Sequence, residues 1–294
     1  MTAIIRYDDG RARVGRLDED GLHPLPVDSV ASLLRVDVDQ ARAIVDGARS
    51  PAVDPTRVRL LAPVDGLTEV WASGVTYERS RDARVEESSV HDVYQRVYEA
   101  DRPELFFKSA AWRVVPDGSD IAVRVDSAQN VPEPELILVI NRYAEVVGYS
   151  VGNDMSSRDI EGANPLYLPQ AKVYDASFSM ATRIRPAWEL TDVSALDVEM
   201  SVERRGEVVW QGSTNTNRLA RTFAELVEHL FRCYSLPDGA LLSTGTGIVP
   251  ELDFTTLPGD EIRIHVDQVG HLHNRVVETG TLNRGSTTAM ERTP

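Results

Sequence analysis

Cysteine is almost missing from this sequence: 294 residues contain one, Cys233. One thiol cannot close an internal disulfide, so no such covalent staple is available to the fold, and this usage fits a reducing compartment. Cys233 falls in an apolar helical pattern, which predicts a small buried side chain instead of a nucleophile. Long hydrophobic runs are missing as well, since nothing approaches the ~20 consecutive apolar residues that span a bilayer. The opening MTAIIRYDDG lacks the basic segment and apolar stretch of a signal peptide. The cytoplasm is the expected location. Positive charge is also short. Lys and Arg number 31 against 46 Asp and Glu, and the net charge of -15 repels phosphate backbones and anionic lipid. Neither nucleic acid nor a membrane is an expected partner.

Several chemical signatures are absent too. STGTGIVP at 243–250 has Gly245 and Gly247 but not the third glycine of G-x-G-x-x-G, so a nucleotide is not expected there. Small residues after a strand can still turn backbone N–H groups toward an anion. Neither G-x-S-x-G nor H-E-x-x-H occurs, which leaves serine-hydrolase and zincin readings without support. His271 and His273 have the i, i+2 spacing of a zinc pair on one strand, although two exposed histidines beside a hairpin turn are the commoner arrangement. His91, on a helical stretch, is a candidate general base set against a plain solvated face.

What is present is an ordinary globular composition, 42% hydrophobic and 26% charged, in a chain long enough to bury a sizeable core. Residues 3–16 predict two short strands about an Asp-Asp-Gly turn. A helical stretch over 30–45, broken into two pieces, ends near Gly47, and a strand follows over 57–64. Residues 1–65 are expected to form a small N-terminal α/β subdomain connected through the Pro51–Pro55 stretch, leaving 66–294 as the catalytic domain. Residues 71–84 carry turn chemistry and an arginine cluster, Arg79, Arg81 and Arg84. Residues 89–100 predict a helix over a cleft, stopped by Pro103, after which LFF begins a strand.

Strands are expected at 121–125, 135–140, 144–152, 178–184, 197–204, 207–213, 240–245 and on both sides of a turn near Gly270. Arg204, Arg205 and Gly206 read as a tight hairpin. One amphipathic helix interrupts them, with Thr222 as cap, Glu225 as its capping-box partner and Leu226, Val227, Leu230, Phe231 and Tyr234 along one face. The tail from Asn283 has little to bury and is expected to fray or lie on a neighbouring chain. Many short strands with few helices predict an α+β, mostly β fold.

The chemistry concentrates between Pro132 and Asp175. Glu133 and Glu135 are two apart, and on an extended strand such residues share a face. The LILVI run behind them would hold that strand in a core. Carboxylates so placed repel each other unless a cation joins them, which points to a hard divalent metal. For an isolated E-x-E, a solvated surface pair is the commoner arrangement. Asp154, at a predicted strand end, and Lys172 lie in the same stretch. Arg79 and Arg81 could grip a carboxylate in bidentate fashion, or pair with Asp82, Glu86 or Glu87 at the surface.

Taken in order, W-A-S-G-V-T-Y (71–77), R-P-E-L-F-F-K (102–108), P-E-P-E-L (132–136), G-Y-S-V-G-N-D-M-S-S-R-D (148–159), K-V-Y-D (172–175) and G-T-G-I-V (245–249) resemble the fumarylacetoacetate hydrolase superfamily over residues 70 to 280. The resemblance implies a mixed β-roll catalytic domain, a homodimer or dimer of dimers, and Mg2+ (or Mn2+ or Ca2+) held by Glu133, Glu135 and Asp154. The hydrolases of that family carry a His and a Glu after a tyrosine, in a pattern like N-Y-x-x-H-x-x-E. Here Ser80 and Ala83 occupy those places after Tyr77. G-V-T-Y-x-R-S-R-D-A-R, R-P-E-L-F-F-K and Y-L-P-Q-A-K-V-Y-D are similar instead to the branch that dehydrates 2-keto-3-deoxy pentonates, in which a glutamate and a lysine perform the acid-base steps. They match Glu104 and Lys172.

The resemblance therefore implies a hydro-lyase acting on a small 2-keto acid, 2-dehydro-3-deoxy-D-arabinonate or xylonate, through an enolate stabilised by the ion, with 2,5-dioxopentanoate as product. Arg79, Ser80, Arg81 and Thr246 are the expected substrate contacts. An acylpyruvate-type carbon-carbon hydrolase, an oxaloacetate decarboxylase and a non-catalytic 2-keto acid binding protein are the alternatives.

Overall fold

The computed structural model describes residues 1–50, 52–87 and 91–281. The side chain of His91 and the tail from Asn283 lie outside the described residues. The first segment builds β1 (Ala3–Asp8), β2 (Ala12–Asp18), β3 (Gly21–Pro24), α1 (Val30–Leu34), α2 (Val38–Asp46) and β4 (Arg59–Leu61). The two helices are the expected broken stretch, capped by Ser29 and Asp37, whose side chains accept from Ser32 N and Gln40 N. Such caps satisfy backbone donors left open at a helix start and contribute about 1 kcal/mol each.

The chain continues through β5 (Glu69–Gly74), α3 (Glu78–Glu87), α4 (His91–Glu99), β6 (Glu104–Ala110), β7 (Val115–Pro116), β8 (Asp120–Val123), β9 (Asn130–Val131), β10 (Pro134–Ile140), β11 (Val146–Asp154) and β12 (Ser156–Ser157). Then come α5 (Arg158–Ala163), α6 (Leu168–Lys172), β13 (Phe178–Met180) and β14 (Arg183–Pro186). The last third forms β15 (Asp197–Arg204), β16 (Glu207–Asn215), α7 (Phe223–Phe231), β17 (Ala240–Ser243), β18 (Glu261–Val266) and β19 (Gly270–Glu278). The result is α+β and mostly β.

A mixed sheet runs in the order β3-β2-β1-β14-β11-β10-β17-β5-β6, and a second sheet in the order β16-β15-β18-β19-β8. Because β1 pairs with β14, the N-terminal strands extend the central sheet. Every residue of β10 is buried. Leu136, Leu138 and Ile140 enter a core shared with α7 and the second sheet, while Ile137 and Val139 enter another shared with α1 and α2. A strand covered on both faces reads as a continuous apolar run instead of an alternating one, which is why LILVI has no polar partner positions.

Local expectations hold where local chemistry decides. Arg205 and Gly206 both have positive φ, 56° and 85°, between the paired ends Arg204 and Glu207. That is the backbone of a two-residue type I′ hairpin. Thr222 accepts from Glu225 N, and Leu226, Val227 and Leu230 of α7 are buried.

Four expectations are corrected. Residues 78–87 are helical, not turn; ERSRDARVEE is polar all round and shows no apolar period, yet Glu, Arg and Ala are strong helix formers. The single strand expected over 178–184 is two, because β13 lies between β11 and β7 whereas β14 lies between β11 and β1. Cys233 is exposed, since α7 ends at Phe231 and the apolar period does not continue. Tyr234, past the same end, is 52% exposed and stacks on Trp71 at 4.8 Å between ring centres.

Candidate active site

β10 and β11 meet so that Pro134 faces Asn153 and Glu135 faces Gly152, which brings the end of β11 beside the E-x-E pair. Asp154 N donates to Glu133 O at 2.9 Å, and Glu133 N donates to Asn153 Oδ1 at 3.2 Å. Glu133, Glu135 and Asp154 are all buried, and each has a carboxylate oxygen within 4.8 Å of those of the other two. Burial foremost, then the charges of Asp154 and Glu133, pushes the Glu135 pKa up to about 8. Three hard oxygen donors whose mutual repulsion is relieved by positive charge fit a divalent ion such as Mg2+, Mn2+ or Ca2+.

The loop after β17 supplies an anion-binding N–H, and the anion is a side chain of the site itself. Gly245 N donates to Glu135 Oε2 at 2.7 Å, and the Ser243 hydroxyl donates to the same oxygen. Gly245 has φ 89°, a conformation that favours glycine, and a Cβ there would lie 2.0 Å from Thr76 Oγ1.

Lys172, the last residue of α6, is buried and sends Nζ to Glu133 Oε2 at 2.5 Å, Ser156 Oγ at 2.5 Å and Asp154 Oδ2 at 3.4 Å. Across the cleft, β6 presents Glu104 and Phe106 on one face, two residues apart, and both line the cavity that contains the carboxylate cluster. The Phe106 ring centre is 5.7 Å from Lys172 Nζ. Phe107 points the other way and meets Trp71 edge-on at 6.2 Å.

Helix α3 closes one side. Successive residues of a helix are turned about 100° apart, so Arg79, Ser80 and Arg81 cannot share a face. Ser80 and Ala83, three apart, line the cavity, and the Ser80 hydroxyl donates to Tyr77 O at 2.8 Å. Arg79 lines a neighbouring groove with Trp210 and Arg218. The Arg81 guanidinium bonds Asp82 Oδ1 at 2.6 Å and Glu78 Oε1 at 3.3 Å and lies 4.8 Å from the Tyr98 ring centre. Thr246 is buried on the cavity wall. His271 and His273 lie on the solvent face of β19, where Glu261 bonds His273, and belong to a separate concavity.

Three charged residues of the cavity or cluster carry no sequence-derived role. Arg158 and Glu161, one turn apart on α5, are buried in the cavity wall. Arg158 donates to Pro250 O at 2.9 Å and Glu251 O at 3.1 Å. Its signal was the arginine that closes N-D-M-S-S-R. The third is Lys108, wholly buried, whose Nζ lies 2.5 Å from Asp154 Oδ1. Burial lowers its pKa against the raising pull of Asp154.

The chain is similar to several known proteins. A profile of the fumarylacetoacetate (FAA) hydrolase C-terminal domain matches residues 69–277. The chain is 46% identical over 249 residues to a probable 2-keto-3-deoxyxylonate dehydratase of Haloferax volcanii, covering 84% of this chain and 85% of that one. It is 39% identical over 219 residues to the 2-dehydro-3-deoxy-D-arabinonate dehydratase of Saccharolobus solfataricus, 73% of each chain. A solved structure of 2-keto-3-deoxy-D-arabinonate dehydratase complexed with magnesium and 2,5-dioxopentanoate superposes with a TM-score of 0.82 at 31% identity, over 95% of this chain and 99% of that one.

Proposed function

The chain belongs to the fumarylacetoacetate hydrolase family, and within it we propose a divalent-metal-dependent hydro-lyase that removes water from a 2-keto-3-deoxy pentonate to give 2,5-dioxopentanoate. The observation that carries the reading is that Glu104 and Lys172 line one cavity with the carboxylate cluster, and that helix α3 offers it Ser80 and Ala83 where the family's hydrolases carry His and Glu. At those two places Ser80 and Ala83 offer no group to activate water for carbon-carbon cleavage.

Glu133, Glu135 and Asp154 would hold Mg2+, which when bound polarises a 2-keto acid at C1 and C2 and acidifies C3. A substrate held by that end would bring C3 toward Lys172 and C4 toward Glu104, both of which line the cavity. Lys172 takes the C3 proton, the C3–H electron pair becomes the C3–C4 double bond, and the C4–O bond breaks with its pair on the departing oxygen. Glu104 delivers a proton to the departing hydroxyl, which leaves as water. Phe106, two residues along the same face, lines the same cavity as Glu104. Tautomerisation of the unsaturated product completes the semialdehyde. Ser80 and Thr246 are placed to bind substrate oxygens.

The proposal includes a cytoplasmic homodimer or dimer of dimers, and the division at residue 65, which is supported by a family match that begins at residue 69. Among the described residues no helix is long and apolar enough to cross a membrane. The test is direct. Purified protein with Mg2+ and 2-keto-3-deoxyarabinonate is expected to form 2,5-dioxopentanoate, and no product at saturating metal defeats the dehydratase reading. Pyruvate released from acylpyruvates or oxaloacetate would identify a hydrolase or decarboxylase, and ligand-induced stabilisation without product a binding protein.

A further inference from the structure

The centre contains a cation that this dehydration does not use. Of 31 lysine and arginine residues only two are lysines, Lys108 and Lys172, and both are buried beside the same aspartate. All the others are arginine. A compact ammonium with three rotatable donors fits between closely spaced oxygens where a planar guanidinium fork does not.

Lys108 comes to this place through an irregularity in the sheet. Along the β5–β6 ladder Phe107 faces Trp71 and Ser109 faces Val70, so Lys108 is the extra residue of a β-bulge. Bulges re-aim a side chain, and this one sends Lys108 under the cluster. Its Nζ lies 2.5 Å from Asp154 Oδ1 and donates to Met155 O at 3.0 Å and Lys172 O at 2.5 Å. The two hydrogen bonds to carbonyls and the ion pair together fix its direction.

One oxygen of Asp154, Oδ1, is therefore held closely by the protein, while the other, Oδ2, lies at the longer distance of 3.4 Å from Lys172 Nζ and is the one left to face an ion. Each of the other two carboxylates also has one oxygen held, for Lys172 occupies Glu133 Oε2, and Ser243 with Gly245 occupies Glu135 Oε2. Each carboxylate can turn at most one oxygen toward a shared ion. Calcium is served by six to eight oxygens, often from bidentate carboxylates, whereas magnesium takes a tight octahedron of single oxygens.

We propose that Lys108 is a positioning residue that confines Asp154 to one-oxygen ligation and so sets the preference of this centre for a small octahedral dication over Ca2+. The inference rests on the metal reading of the cluster, and the two fail separately. Removing a positive charge alters the affinity of two dications in the same sense by similar amounts, so the ratio of their dissociation constants isolates ligand geometry.

The experiment is calorimetric titration of metal-stripped protein with Mg2+ and with Ca2+, for the wild type, Lys108→Met and Lys108→Arg. Lys108→Met is expected to shift the ratio toward Ca2+ by about fivefold or more, as a second Asp154 oxygen becomes available. Lys108→Arg keeps the positive charge but presents a planar fork that does not fit the ammonium's place, so it is expected to shift the ratio in the same sense. A ratio unchanged in Lys108→Met overturns the proposal. A wild type that binds neither ion overturns the metal centre itself. Where circular dichroism finds Lys108→Met unfolded, Lys108→Gln, an uncharged side chain, takes its place with the same two outcomes.

Discussion

Gly74 faces Glu104 directly across the β5–β6 ladder, and a Cβ built on it would lie 2.2 Å from Glu104 Oε2. The carboxyl of the proposed acid occupies the space that a side chain at 74 would take. The clashing atoms are the far end of a flexible side chain, so an added methyl displaces Glu104 and leaves the backbone in place. Gly74→Ala is expected to lower kcat by about tenfold to a hundredfold, because a misplaced catalytic group costs that much without any change of residue type. Its melting temperature should stay within a few degrees of the wild type, and a loss of fold instead of turnover would contradict this account.

The two proposed acid-base groups should fail differently from the metal ligands. Glu104→Gln removes the proton donor and keeps the shape, so kcat should fall by about a hundredfold or more. Mg2+ affinity by calorimetry should change little, as Glu104 is not among the three clustered carboxylates. Survival of activity in this variant would remove Glu104 from the mechanism.

The metal-free protein should lose stability as pH rises between about 4.5 and 8. Folded, Glu135 keeps its proton up to about pH 8, whereas the unfolded chain releases it near the ordinary glutamate value of 4.5. The folded state thus binds more protons across this window, and the contribution is present at low pH and gone above the folded pKa. A bound dication replaces the proton, so the stabilisation by Mg2+ should grow over the same range. Thermal melts at pH 5, 6.5 and 8, with and without Mg2+, measure both effects; a metal-free melting temperature that rises through this window would refute the assignment. Glu135→Gln should abolish the pH dependence together with metal binding.

The substrate contacts expected at 79–81 separate by the turn of a helix. Ser80→Ala and Thr246→Val, at cavity-lining positions, should raise KM severalfold with a smaller effect on kcat, the pattern of a lost polar contact of about 1 kcal/mol. Arg81→Ala should leave KM within about twofold, because the guanidinium is engaged with Asp82 and Glu78 and an exposed pair of this kind contributes little. Steady-state kinetics on the three variants distinguishes the two faces of α3.

Much of the centre was legible because it is written in short spacings. An E-x-E pair at a strand start, an aspartate at the next strand end and a lone lysine in the same stretch are each marked by their own segment. Arg205-Gly206 and Thr222 were legible for the same reason, since turn and cap chemistry are local. Lys108 was not, although counting the lysines would have singled it out: with two in the chain and one already assigned, the other invited the question. Helix α3 escaped because it has no apolar stripe to announce it.

By itself the sequence determined the residue types of the site, their order and the segments that carry them, because strand alternation, helix spacing and turn preference act over a few residues. Tertiary structure decided what those residues are to one another. The β-bulge that turns Lys108 under Asp154, the rotation of α3 that presents Ser80 and Ala83 while sending Arg79 and Arg81 elsewhere, and the Gly245 N–H that meets Glu135 instead of a ligand all depend on contacts between segments 30 to 110 residues apart. Packing and electrostatics act through space, and a list of neighbours along the chain does not contain them.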